Sequence, residues 1–198
     1  MANKKQSKLI CLVGLPGAGK SEVAEYLRKK RDFGYLRFGQ ITLDKVLALK
    51  QKPTEALEKK IREGLRKKYG MAAFAILNLP KLDQLLKSSD VIGDGLYSWE
   101  EYLKLKEKYK KRLIVIAVYA PPALRYDRLK NRAKKHGVDP KLRYRSFSRT
   151  ESKARDFAQI ENAHQAGPIA MADYTIINNQ SISFLHRQIN QIIKKIYA

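Results

Sequence analysis

The stretch Leu9 to Ser21, L-I-C-L-V-G-L-P-G-A-G-K-S, decides how the rest of this chain is read. Leu9 to Val13 is a short, continuously apolar run, the pattern of a strand covered on both faces in a parallel sheet. Gly14-x-x-x-x-Gly19-Lys20-Ser21 follows at once, with Pro16, Gly17 and Ala18 inside the loop. Glycines at 14, 17 and 19 let the backbone turn tightly, so that successive N–H groups face one concavity. Lys20 adds a full positive charge, and Ser21 offers a hydroxyl to Mg²⁺. The helix expected from Lys20 adds the positive end of its dipole at the same point. The loop, together with Glu22 in the first turn, is therefore expected to hold the phosphates of a nucleoside triphosphate such as ATP.

Outward from the loop, strand and helix patterns alternate. Helix is predicted over Lys20 to Lys30, a short strand over Tyr35 to Phe38, and charged helix from Ile41 to Tyr69 broken at Pro53, with a new start near Thr54. Met71 to Lys87 reads as helix with a kink or boundary at Pro80. Val91-Ile92 leads as a strand into Asp94-Gly95, and Trp99 to Lys111 is an amphipathic basic helix. Leu113 to Tyr119 is the clearest strand, and Pro121-Pro122 opens the next helix. Helix is predicted again over Thr150 to Gln165, stopping at Gly167-Pro168, before a fifth strand at Tyr174 to Ile177. Ser181 caps a final helix whose apolar stripe is Leu185, Ile189, Ile192, Ile193 and Ile196. This alternation predicts an α/β fold, a three-layer sandwich on a five-stranded, mainly parallel sheet. The expectation is a single domain over residues 1–198, with a helical acceptor region at about 40–88 and a basic lid at about 131–150.

The chain of 198 residues carries 41 Lys+Arg against 19 Asp+Glu, a formal charge of +22. Such a surface attracts polyanions. The excess is spread along the chain rather than gathered in a tail, so nucleic acid is a possible partner but not the favoured one. Cys11 is the single cysteine, inside the first apolar run, which excludes a disulfide framework and a zinc site. The first apolar run is too short to span a bilayer and ends in the loop rather than in a cleavage site. Cytoplasmic residence without a membrane partner is expected.

In an open parallel sheet, ligands bind at the carboxyl ends of the strands. That rule selects the phosphate loop, the residues after Phe38, Asp94, the Ala120 region and Asn178. Asp94 follows an apolar pair, where a carboxylate can hold Mg²⁺ or accept a proton from an attacking hydroxyl; an Asp-Gly turn would carry the same dipeptide. Phosphoryl transfer also calls for a cation that meets the transferred oxygens, and Arg128, Arg132, Arg143, Arg145 and Arg149 in or beside the basic excursion are the candidates, Arg132 and Arg149 foremost.

Asp94-Gly95, the Ala120-Pro121-Pro122 turn and Ala172-Asp173-Tyr174, taken with the loop, make the chain resemble the P-loop kinases related to dephospho-CoA kinase and the nucleoside monophosphate kinases. The likeness is greatest to small archaeal proteins described as nucleotide-kinase-like, and it covers nearly the whole chain. It implies that Arg125 and Arg128 lie on the helix leading to the lid, and that the loop around Asn178 sits beside adenine. The departures fall on the acceptor side. Such proteins tend to have Gly-Asp after the second strand and an arginine a few residues on; here Gln40 follows Gly39, Leu43 stands in the arginine's place, and Tyr97 replaces a further arginine. Loss of those arginines with retention of Asp94 fits a hydroxyl acceptor, an acceptor site rebuilt with Arg37, Lys45, Arg62 or Arg66, or lost kinase activity. The reading is an ATP- and Mg²⁺-dependent phosphotransferase acting on a nucleotide or dephospho-CoA-like small molecule. The rival is a nucleic-acid-associated ATPase or binder.

Overall fold

The computed structural model describes residues 6–137 and 144–198. Its centre is β1 (Leu9–Val13), every residue of which is buried. Around it β2 (Gly34–Arg37), β3 (Val91–Asp94), β4 (Leu113–Tyr119) and β5 (Tyr174–Ile177) form one sheet in the order β2-β3-β1-β4-β5. Every pairing is parallel. Alternation along β1 sorts the core into two layers. Leu9, Cys11 and Val13 face one side, with Phe38, Phe74, Leu82 and Leu105. Ile10 and Leu12 face the other, with Val23, Leu27 and Ile189.

The second layer is covered by α1 (Lys20–Lys30) and α10 (Ile182–Tyr197), whose Leu185, Ile189, Ile192 and Ile196 are buried as the stripe predicts. Ser181 accepts the Phe184 N–H at the start of α10, and Thr54 accepts that of Leu57 at the start of α3 (Glu55–Tyr69). Helices α2 (Gln40–Ala48), α3 and α4 (Ala73–Leu85) fall within residues 40–88, and with α5 (Trp99–Tyr109) they cover the first layer. From β4 the chain runs into α6 (Pro122–Lys130), α7 (Arg132–His136), α8 (Arg149–Phe157) and α9 (Ala166–Ala170).

Of the two proline expectations, the one at Pro80 narrows and the one at Gly167-Pro168 needs correction. Helix α4 contains Pro80 with no boundary there. Pro80 and Ile76 lie on the exposed face, so the Ile76 carbonyl that loses its helical donor meets water instead. Gly167-Pro168 lies within α9 rather than ending a helix. Pro168 sits in the first turn, where its N–H would have no helical acceptor, and a Cβ on Gly167 would come within 2.7 Å of the Trp99 ring. Helix α8 ends at Phe157 and gives way to a π-helical turn over Ala158–Asn162. Of the expected lid, Pro140 and Arg143 lie outside the described residues.

Candidate active site

The phosphate loop is built as its glycines require. Gly14, Gly17 and Gly19 have φ of 136°, 79° and 105°, values that side chains strain to adopt. Space is a second restriction: a Cβ on Gly14 would lie 2.3 Å from the Val118 carbonyl oxygen, and one on Gly17 2.6 Å from that of Arg125. Lys20 Nζ donates to the carbonyls of Gly14 (2.6 Å) and Leu15 (3.3 Å), so the ammonium lies along the loop. Burial lowers its pKa to about 8; Asp94 opposes that shift, while Arg132, Arg37 and Arg125 press the same way.

Asp94 ends β3, level with Leu12 of β1 on one side and Arg37 of β2 on the other. Its carboxylate is buried, and Oδ2 accepts the Tyr35 hydroxyl at 2.8 Å. Lys20, Ser21, Arg37, Asp94, Tyr97 and Arg132 all line one cavity of about 580 Å³. On its donor side Arg128 reaches the Asn178 carbonyl at 3.0 Å, and the Asn178 amide donates to the Ala18 carbonyl at 2.8 Å. The strand end of β5 is thereby tied to the phosphate loop.

The lid arginines divide. Arg132, at the start of α7, points into the cavity and lies over the Tyr144 ring; burial, and next the charge of Arg37, depress its pKa. Arg149 is outside the cavity, its side chain exposed, 3.9 Å from Asp127 and over the Tyr126 ring. Arg145 is engaged by Glu58 at 2.5 Å. Among the acceptor-side candidates only Arg37 lines the cavity. Arg62 pairs with Glu55 and Glu58, Lys45 is exposed on α2, and Arg66 lies over Phe74 beside Glu101. Leu43 is buried in the core, so its position presents no side chain to a ligand.

Two functional-side residues escaped the sequence reading. Arg155 of α8 enters the cavity wall while ion-paired to Glu55 of α3. Asp156 is buried against Arg125, with bonds of 2.8 and 2.6 Å to the two terminal nitrogens, and accepts from the Tyr126 hydroxyl at 2.9 Å. Arg125 also donates to the carbonyls of Pro16 and Ala120, both at 3.0 Å, making it a brace beneath the loop. The only signal for either was helical spacing in a segment crowded with charges.

A parallel sheet with a phosphate loop after its central strand and a carboxylate at the end of the next is the architecture of the P-loop kinases. Residues 10–152 match the family described as AAA domain. The chain belongs to that family and, through relatives along nearly its full length, to the UPF0200 proteins. The UPF0200 protein of Sulfurisphaera tokodaii is 32% identical over 200 residues, covering 96% of this chain and 97% of the relative. PH1008 of Pyrococcus horikoshii is 29% identical, with 96% and 98% covered. Among solved structures, a putative kinase of Chloroflexus aurantiacus superposes with a TM-score of 0.62 at 11% identity, covering 98% of each chain. The shikimate kinase of Acinetobacter baumannii does so at 0.54 and 23%, over 98% of this chain and 94% of that one. These likenesses establish the fold, a P-loop kinase-like parallel α/β sandwich. No helix among the described residues is long and apolar enough to cross a membrane.

Proposed function

We propose that the protein is an ATP- and Mg²⁺-dependent phosphotransferase acting on a nucleotide or dephospho-CoA-like small molecule. The observation that carries this reading is the meeting of Lys20, Asp94 and Arg132 in one cavity. Backbone N–H groups of residues 17 to 21 receive the phosphates, and Lys20 leaves the loop carbonyls to neutralise the β and γ groups. Arg128 and Asn178 flank the base. The acceptor hydroxyl attacks the γ-phosphorus, the bond to the bridging oxygen breaks to release ADP, and Asp94 takes the hydroxyl proton. Arg132 meets the charge on the transferred oxygens.

The donor set suits Mg²⁺. Ser21 and Asp94 offer only oxygen, and Asp94 Oδ1 has no hydrogen-bond partner among the described residues. Ser21 and phosphate oxygens would hold the ion directly and Asp94 through a water, which would leave the carboxylate open to the hydroxyl proton; the ion's charge would screen the β and γ groups.

Lys20→Ala is expected to abolish ATP turnover and weaken ATP binding. Equal, weak ATP binding by wild type and variant would defeat the reading. The net charge of +22 supports the nucleic-acid reading as the second choice. That reading requires RNA or DNA binding with a steep salt dependence and ATP turnover that responds to nucleic acid.

A further inference from the structure

The starts of the strands form the end of the sandwich opposite the cavity. Leu9 of β1 is level with Val91 of β3 and Leu113 of β4, and Gly34 of β2 is level with Val91. The segments that lead into β2, β3 and β4 therefore meet at one edge, and α10 ends there as well. Lys8 Nζ donates to the Ile196 carbonyl at 2.9 Å, the Tyr197 hydroxyl donates to Asp90, and Arg31 lies over the Tyr197 ring, 4.2 Å from its centroid. Arg112 Nε donates to the Ser7 carbonyl at 2.8 Å.

Three basic runs gather at this edge. Residues 28–31, R-K-K-R, close α1 and lead toward β2. Residues 110–112, K-K-R, form the 3-10 turn between α5 and β4, and Lys194 and Lys195 lie in the last turn of α10. All of these are exposed except Arg112, which is half-buried. The acids of the same segments are Asp32, Asp90 and Glu107. Asp90 is occupied by the Lys8 N–H and the Tyr197 hydroxyl, and Glu107 by Lys104 at 2.9 Å. Lys30, Lys110, Lys111, Lys194 and Lys195 have no ion pair among the described residues. Helix dipoles account for cations within a last turn, but Arg31, Lys110 and Lys111 lie beyond the ends of α1 and α5. Lys110 holds φ 50° and ψ −121°, backbone that favours glycine, yet the position carries an exposed cation. Like charges gathered in this way destabilise the folded chain, and a polyanion relieves them.

The cations do not converge on a point. Helices α1 and α10 cover one face of the sheet and α5 the other, so layers packed at about 10 Å spread the charges across roughly 20 Å. A small anion needs donors aimed at one place, whereas a phosphodiester backbone meets donors spread along it; roughly 20 Å corresponds to about six base pairs. No free aromatic ring stands at this edge among the described residues to stack an unpaired base. Phe33 and Tyr109 are buried, and Tyr197 is engaged by Asp90 and Arg31. The edge therefore suits paired strands contacted through their phosphates, without base readout.

We infer that this edge binds the phosphate backbone of a nucleic-acid duplex, away from the cavity and without sequence preference. Binding there needs neither reading of the cavity. It leaves ATP turnover unchanged by the duplex, in contrast to a nucleic-acid-dependent ATPase.

The test measures fluorescence anisotropy of labelled RNA and DNA duplexes of about 20 base pairs with the full chain, between about 50 and 200 mM salt. Wild type is expected to bind with a slope of log K against log salt near −4 to −5, roughly five phosphate contacts, and the two duplexes show which nucleic acid is taken. Joint replacement of Lys30, Lys111, Lys194 and Lys195 by Gln should weaken binding by roughly 10- to 100-fold and flatten the slope. A control with the same charge change on α3, Lys59, Lys60, Lys67 and Lys68 to Gln, should lose less than about 3-fold. Should the fourfold variant unfold, the pairs Lys30→Gln with Lys111→Gln and Lys194→Gln with Lys195→Gln are each expected to lose part of the affinity. Lys20→Ala should bind the duplex as wild type does, and saturating ATP should not displace it. No duplex binding at about 100 mM salt, or equal losses in the edge and α3 variants, overturns the inference and makes the charge background. Displacement by ATP, or loss in Lys20→Ala, moves the nucleic acid to the cavity and overturns it as well. Preference for single strands, or edge-dependent binding to phosphatidylserine vesicles with no binding to duplex, replaces the partner.

Discussion

Replacement of Asp156 by alanine puts the brace beneath the phosphate loop to a quantitative test. Arg125 and Asp156 are 3% and 4% exposed and joined by two short parallel bonds. Removing the carboxylate leaves a buried guanidinium with carbonyl partners but no counter-charge, and leaves the Tyr126 hydroxyl without its acceptor. Breaking a buried pair from one side costs about 3–5 kcal/mol. For a chain of this size each kcal/mol shifts Tm by about 2–4 °C, so the expected fall is roughly 6–20 °C. The double variant Arg125→Met, Asp156→Leu removes both charges and is expected to be more stable than Asp156→Ala. Urea unfolding of Arg125→Met, Asp156→Leu and their double supplies the coupling energy, expected above about 1.5 kcal/mol. Because Arg125 also holds the Pro16 carbonyl, Asp156→Ala should weaken ATP binding although it is remote from the phosphates. A loss of stability below about 1 kcal/mol, or additivity within about 0.5 kcal/mol, would refute the reasoning.

Glu101 is fully buried and its pKa is raised to about 7, chiefly by desolvation, against the lowering effects of the Tyr97 N–H and Arg66. The unfolded chain releases this proton from about pH 4.5 while the folded chain keeps it to about 7, so stability is lost as pH rises through that window. Glu101→Gln should flatten the loss in pH-resolved unfolding; an unchanged slope tells against it. Lys20 behaves in the opposite sense. Its folded pKa near 8, against an ordinary 10.5, makes the apoprotein gain stability as pH climbs between those values. Lys20→Met should lack that gain. Phosphates restore the proton, so ATP binding near pH 8 to 9 should take up protons, measured by calorimetry in buffers of different ionisation enthalpy; uptake that persists in Lys20→Met would exclude Lys20 as its source. Gly14→Ala combines a positive φ with a Cβ 2.3 Å from the Val118 carbonyl oxygen, so it should cost several kcal/mol or prevent folding. A Tm within 2 °C of wild type would show that the loop accommodates a side chain.

The sequence disclosed the sheet and the donor loop because both rest on local patterns. Leu9 to Ser21 contains its own strand, turn and helix start, and the stripe of α10 repeats with helical period. Pro80 was harder, since exposure of its helical face is a tertiary fact. The ion pairs around the cavity were hidden for a different reason. Arg155 meets Glu55 from 100 positions away, and Arg125 meets Asp156 from 31. With 41 basic residues in the chain, composition could not say which few face inward. Arg37 was one of four candidates and was singled out by β2 pairing with β3, and the split between Arg132 and Arg149 follows from where α7 and α8 begin.

The strand order also divides evolutionary constraint. With β1 central, the proposed nucleotide half is drawn from β1, β4 and β5 on one flank, and β2, the helices after it and the end of β3 build the other. Substitutions on the β2 flank can retune which molecule is chosen without touching the machinery that handles the triphosphate. New chemistry can be acquired at one edge of the sheet while the other is inherited intact.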